Sequence, residues 1–187
     1  MEQSVHTSFS IRGVEFKNRV FVASGTFGYG DEIREVVSVE KLGGIITKSL
    51  SLKPRDGNPP PRTVETASGM LNSIGLANIG VKAFIETKLP VLRTFKTSII
   101  ANIAASSIDE YCEVLELLES EQGIVAYEIN VSCPNVKEGG LNFGADCAKT
   151  AQVTHELRKR TSKPLIIKLT PNVTHISEFA RAVANEG

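Results

Sequence analysis

Cys133 in "INVSCPNVKEGG" (129–140) stands where a β-branched run gives way to a glycine-hinged loop, with Asn130 three residues before it and Asn135 two residues after. A thiol in such a loop is reachable, can act as a general base where its site stabilises the thiolate, and can be carried into line by loop closure. Two amides converging on one spot can hydrogen-bond a planar ligand that carries imide or carboxylate groups. The bland alternative is a cysteine that merely fills space in a βα loop. Lys48 in "GIITKS" and Lys168 in "LIIKLT" end apolar runs, so their stems are expected to be buried and their ammonium groups to meet an anion. That anion is either an internal carboxylate or a bound ligand, and two lysines on one rim favour the ligand.

"SGMLNSIGLANIG" (68–80) is too apolar for a solvated loop. It reads either as a tight Ω-loop or as a cover that presents Asn72 and backbone amides to a ligand. The proline-rich "LKPRDGNPPPRTVET" (52–66) reads as an excursion of the scaffold. His6, His155 and His175 fall in a tail, a helix and a cap, with no spacing that suggests a metal site. Cys112 and Cys147 read as core residues, and the charges of "ESEQG" and "ELRKR" as solvated helix faces.

The elements that must position these groups alternate in type. "SFSIRGVEFKNRVFVASG" predicts a short hairpin from about Phe9 to Phe16, turning at Arg12-Gly13, and then a first strand at Arg19–Val22. Apolar β-branched runs at 43–49, 97–104, 123–132 and 163–171 supply strands two to five. Between the third and fourth, "SSIDEYCEVLELLESEQG" places Ile108, Tyr111, Cys112, Leu115 and Leu118 on one helical face, with a capping box from Ser107 to Glu110. Weaker helical patterns cover 81–94, 146–160 and 176–186, and a short helix is expected at 31–40.

Strands apolar throughout and separated by amphipathic helices imply a parallel sheet with right-handed crossovers. Each strand delivers a polar residue at its C-terminal end: Ser24, Lys48, Asn102, Asn130 and Lys168. In a (β/α)8 TIM barrel those ends share one rim, whereas a Rossmann sheet wants a GxGxxG turn that "ASGTFGYG" does not supply. A whole barrel takes about 250 residues. The expected architecture is therefore a single α/β domain over residues 1–187: an N-terminal β-hairpin, then a TIM barrel truncated after about five βα units, with its C-terminal strands absent and an open edge on the last strand.

Lysine plus arginine equals aspartate plus glutamate at 21 each, which gives no field to draw in nucleic acid or an anionic membrane. The three cysteines, odd in number and without CxxC spacing, suggest neither a disulfide framework nor a zinc centre. With no long apolar run, and no signal-peptide pattern in "MEQSVHTS", the expected location is the cytoplasm.

"VASGTFGYG", "TKS", "GNPPPR", "LNSIGLAN", "ANIA", "NVSCPN" followed by "VKEGG", and "IIKLTPNVT" fall in order at strand ends. Together they resemble the signatures of the class 1 dihydroorotate dehydrogenases over essentially the whole chain, and most closely subclass 1B. That resemblance implies a flavin-containing barrel of pyrimidine (UMP) biosynthesis, with FMN across the strand ends and dihydroorotate stacked on it. It implies electrons passed to NAD through a partner flavoprotein subunit that carries FAD and an iron–sulfur cluster, in a heterotetramer built on a homodimer. Cys133 would be the catalytic base. Ser24, Lys48, Ser49, Asn102, Asn130 and Lys168 would hold FMN. Lys48, Asn72, Ser73, Ile74, Gly75, Leu76, Asn130 and Asn135 would hold the substrate. The family's later strands normally add the FMN phosphate site and a further substrate contact, so the 187-residue chain alone is expected to bind FMN poorly and to be inactive. Three alternatives stay open: a subclass 1A enzyme reducing fumarate, a dihydropyrimidine dehydrogenase-like flavoprotein, and a non-catalytic ligand-binding module.

Overall fold

A computed structural model describes residues 7–132 and 143–187. Cys133 and Asn135, most of the loop expected to close, and His6 lie outside the described residues.

The chain enters as a hairpin, β1 (Phe9–Ile11) against β2 (Val14–Phe16), antiparallel with Phe9 opposite Phe16. Its turn needs positive φ at two successive positions, and Arg12 (+46°) and Gly13 (+81°) supply them. Five parallel strands follow in the spatial order β3-β4-β7-β8-β9: β3 (Phe21–Val22), β4 (Gly44–Ile46), β7 (Ser98–Ile103), β8 (Ile124–Asn130) and β9 (Leu165–Lys168). The order runs without reversal, so these strands have no doubly wound switch point. An exposed hairpin, β5 (Thr63–Thr66) with β6 (Gly69–Asn72), stands off the sheet. The proline-rich excursion thus ends in a strand, and the glycine-asparagine segment begins with its partner.

A helical segment links β6 to β7: α1 (Val81–Ala83) and α2 (Leu89–Leu92) are joined by a wider π turn at Phe84–Lys88. α3 (Ile108–Glu119) joins β7 to β8, α4 (Cys147–Arg158) precedes β9, and α5 (Ile176–Asn185) comes last. The helix expected at 31–40 does not form. Its span is turns, with only a single 3-10 turn at Val39–Lys41, because Glu32 turns back to accept from the amides of Tyr29 (3.0 Å) and Gly30 (3.2 Å). The first strand is also shorter than the Arg19–Val22 expected.

At the start of α3, Ser107 Oγ accepts from the Glu110 amide at 3.1 Å, as the capping box requires. The Glu110 carboxylate, however, reaches past Ser107 to the amide and hydroxyl of Ser106 (2.7 and 2.6 Å). Tyr111, Cys112, Leu115 and Leu118 are buried as expected, whereas Cys147 is only half-buried at the start of α4. The solvated reading of the helical charges also needs correction. Arg158 turns inward to the carbonyls of Thr161 and Lys163, and Glu121 pairs with Arg93.

The two faces of the sheet differ in chemistry. Ile45, Ile99, Ala101, Ile103, Tyr127 and Ile129 pack toward the helices in one large core. The other face begins apolar, where Phe16, Ile100 and Ala126 are buried with Phe9, Val14, Phe21, Ile46 and Ile166 around them. The entry hairpin seals this end: the rings of Phe9 and Phe16 stack at 5.3 Å, and Phe21 meets Phe16 edge-on at 5.3 Å. Further along the same face, toward the C-terminal ends of the strands, the residues become polar.

Candidate functional site

Side chains alternate across a strand, so positions two apart share a face. From the apolar positions Ile46, Ile100, Ala126 and Ile166, steps of two lead to Lys48, Asn102, Glu128 with Asn130, and Lys168. Register aligns them: Asn102 lies opposite Glu128 across β7–β8, and Asn130 opposite Lys168 across β8–β9. One face of four adjacent strands therefore ends in a ladder of amides, ammonium groups and a carboxylate.

These strand ends open into a cavity of about 580 Å3. Ser24, Lys48, Ser49, Asn130 and Lys168 line it from the sheet, Asn72 from the end of β6, and Ile74 and Leu76 from the loop that follows. The volume suits a ligand of several rings rather than a single ion. Eight of the expected site residues are thus brought together around one space. Asn102 lies beneath the lining, with 0% of its surface exposed. Ser73 and Gly75 stand behind it: Ser73 Oγ accepts from Asn58 Nδ2 at 2.7 Å, and a Cβ on Gly75 would sit 2.7 Å from the Asn58 amide nitrogen.

The loop is held in an unusual shape. Gly75 (φ +72°) and Leu76 (φ +56°) both occupy the left-handed region, a conformation that a leucine keeps only when its surroundings impose it. Asn78 does much of the imposing. Its Nδ2 donates to the Leu76 carbonyl (2.8 Å), while its Oδ1 accepts from Gly80 (2.9 Å) and from the Ser51 amide (3.3 Å). The loop is thereby tied to the segment that follows β4 and Lys48. On the other side of the cavity, the Lys48 amide donates to the Gly28 carbonyl at 2.9 Å, fixing "ASGTFGYG" to the end of β4.

The electrostatics favour an anion. The Lys48 ammonium has no hydrogen-bond or ion-pair partner among the described residues. Lys168 Nζ lies 4.0 Å from Glu128 Oε1, so the internal-carboxylate reading of this lysine holds, although its side chain keeps 36% of its surface exposed. Asn130 is fixed twice: its Oδ1 accepts from Ser132 Oγ (2.6 Å), and its carbonyl from the Tyr111 hydroxyl (2.8 Å). No group of three histidine, cysteine or acidic residues suits a metal ion among the described residues, and His155 instead pairs with Glu186 at 2.8 Å. No described helix is long and apolar enough to cross a membrane.

Glu128 is the site's unanticipated member. The alternation Ala126, Glu128, Asn130 inside an otherwise apolar strand is the signal that marks it, since a carboxylate at such a position must be paired or face a cavity.

A family model described as "Dihydroorotate dehydrogenase" matches residues 6–187. Among curated proteins, the chain is 51% identical over 180 residues to a protein of Geotalea daltonii named "Dihydroorotate dehydrogenase B (NAD(+)), catalytic subunit", covering 96% of this chain and 59% of that one. Proteins with the same name from Geobacter sulfurreducens (51% over 183 residues, 98% and 60%) and Geobacter metallireducens (51% over 178 residues, 95% and 58%) are equally similar. The chain spans about three-fifths of the length of the curated relatives it matches. With nearly every residue inside the family match, and with the family's strand-end signatures collected around one cavity, the chain belongs to the dihydroorotate dehydrogenase family.

Proposed function

We propose that this chain forms the FMN- and substrate-facing part of a dihydroorotate dehydrogenase that oxidises dihydroorotate to orotate in pyrimidine biosynthesis. In this reading residues 1–187 form a single domain, its five strands the first part of a (β/α)8 barrel whose remaining strands lie in the two-fifths of the relatives' length that the chain does not span. The observation that carries the reading is the cavity ringed by Lys48, Asn72, Asn130 and Lys168. A buried acceptor without a partner, Asn102 Oδ1, and two ammonium groups on one face suit a flavin, which offers a ring N–H and gathers negative charge on reduction.

Ser24, Lys48, Ser49, Asn102, Asn130 and Lys168 are the residues we assign to FMN. Lys48, Asn72 to Leu76, Asn130 and Asn135 are assigned to dihydroorotate. When bound, FMN supplies the acceptor for the hydride that leaves C6 of the substrate. Cys133 takes the proton from C5, and its thiolate is the form able to do so. Asn130, anchored through Ser132 and Tyr111, keeps its amide directed while the cysteine works nearby in sequence. Lys48 balances charge between the two ligands.

The relatives' names favour NAD as the final acceptor over fumarate, and "catalytic subunit" in those names supports a partner. We assign that partner the FAD and iron–sulfur cluster through which electrons pass, with the pair in the cytoplasm as a heterotetramer.

Cys133→Ser in the full-length protein tests the assignment of the base. Removing a positioned base lowers kcat by about two to four orders of magnitude. Orotate affinity is expected to stay within about threefold, since the substitution leaves the amides and ammonium groups assigned to the substrate in place. Unchanged turnover would defeat the assignment.

A further inference from the structure

Glu128 is 7% exposed and Asn102 fully buried, and the two face each other across β7–β8. A carboxylate oxygen accepts hydrogen bonds, so an amide facing it must present its NH2 group. Asn102 Nδ2 does donate to Glu128 Oε1. That contact decides the other end of the amide: Asn102 Oδ1 is left as a buried acceptor with no partner. An unpaired buried acceptor carries a desolvation penalty that a ligand N–H removes. The same carboxylate oxygen stands 4.0 Å from Lys168 Nζ, so one residue places both the acceptor and the neighbouring cation.

We infer that Glu128 is a positioning residue: it turns the Asn102 amide so that the cofactor's ring meets an acceptor, and the site thereby selects a flavin whose N3 carries hydrogen. This inference rests on the FMN reading and goes beyond it, because it assigns ligand discrimination to a residue that does not line the cavity. The backbone reinforces the arrangement. The Asn102 amide nitrogen donates to Thr47 Oγ1 at 3.1 Å, so the main chain below the side chain is fixed and only the amide's sense is left to set.

The test is a titration of the full-length apoprotein with FMN and with N3-methyl-FMN, which lacks the donor. Wild-type protein is expected to prefer FMN by about tenfold or more, the consequence of one buried hydrogen bond made or lost. In Glu128→Gln the glutamine amide can offer either a donor or an acceptor, so Asn102 is free to turn over. The preference should fall to within about threefold while FMN itself still binds. Glu128→Gln protein with undiminished preference overturns the inference, as does wild-type protein that binds both flavins equally. Wild-type protein that binds neither overturns the FMN reading and this inference with it. If Glu128→Gln does not fold, Asn102→Ala is read in the same titration: lost preference supports the oriented acceptor, and retained preference overturns it.

Discussion

A buried hydroxyl illustrates how one residue serves both stability and the site. Tyr111 sits on the apolar face of α3, meets Phe143 edge-on at 5.7 Å, and donates from its hydroxyl to the Asn130 carbonyl at 2.8 Å. Tyr111→Phe keeps the ring and loses that bond, so a destabilisation of about 1–2 kcal/mol is expected in urea unfolding. Asn130 would lose one of its two anchors. An unshifted urea midpoint would show that the bond contributes nothing. Elsewhere, Glu119 accepts from the Tyr127 hydroxyl and pairs with Lys163 at 3.1 Å. Burial raises its carboxyl, but the hydrogen bonds from Tyr127 and Lys163 outweigh that and hold it below its ordinary 4.5. Burial, together with the neighbouring carboxylate, pushes the Tyr127 hydroxyl well above its usual value. A depressed folded-state value stabilises the protein above the ordinary carboxyl range, and that contribution is lost as pH falls through it. Melting temperature should accordingly drop on acidification below about 4.5, less steeply in Glu119→Gln. Parallel wild-type and variant curves would rule out this source.

At the scale of elements, the loop from β6 to α1 depends on Asn78, whose amide is tied to Leu76, Gly80 and Ser51. Asn78→Ala leaves several buried groups unpaired and should destabilise by about 2–3 kcal/mol. It should also raise the substrate KM more than it lowers kcat, because the loop carries Ile74 and Leu76 to the cavity. The strand and helix alternation was legible in the sequence because β-branched runs and helical periodicity do not overlap in this chain. The shared rim was legible because polar residues close each apolar run. Glu128 is missed when the strand is treated as uniformly apolar, although its parity with Asn130 puts it on the rim-facing side, as the pairing with Asn102 bears out. The β5–β6 hairpin was not legible: its residues are exposed on both faces, so no burial pattern marks it. The missing helix at 31–40 failed for a local reason, since Glu32 bonds backward to the glycine-rich turn and pairs with Lys88 at 3.2 Å.

On the scale of the whole molecule, β3 and β9 are the outer strands of the sheet among the described residues. Unpaired strand edges template association. The 187-residue chain expressed alone is therefore expected to elute as heterogeneous aggregates in size-exclusion chromatography and to bind FMN poorly, while the full-length protein elutes as one discrete assembly and holds FMN. A monomeric, flavin-loaded chain of this length would contradict that division of labour. We place the polar ends of the five strands around one flavin and one dihydroorotate. Anaerobic mixing of the flavin-loaded full-length protein with dihydroorotate tests this most directly, by following the flavin absorbance. Bleaching that depends on dihydroorotate and becomes far slower in Cys133→Ser is expected; a bound flavin whose spectrum dihydroorotate leaves unchanged would overturn that placement.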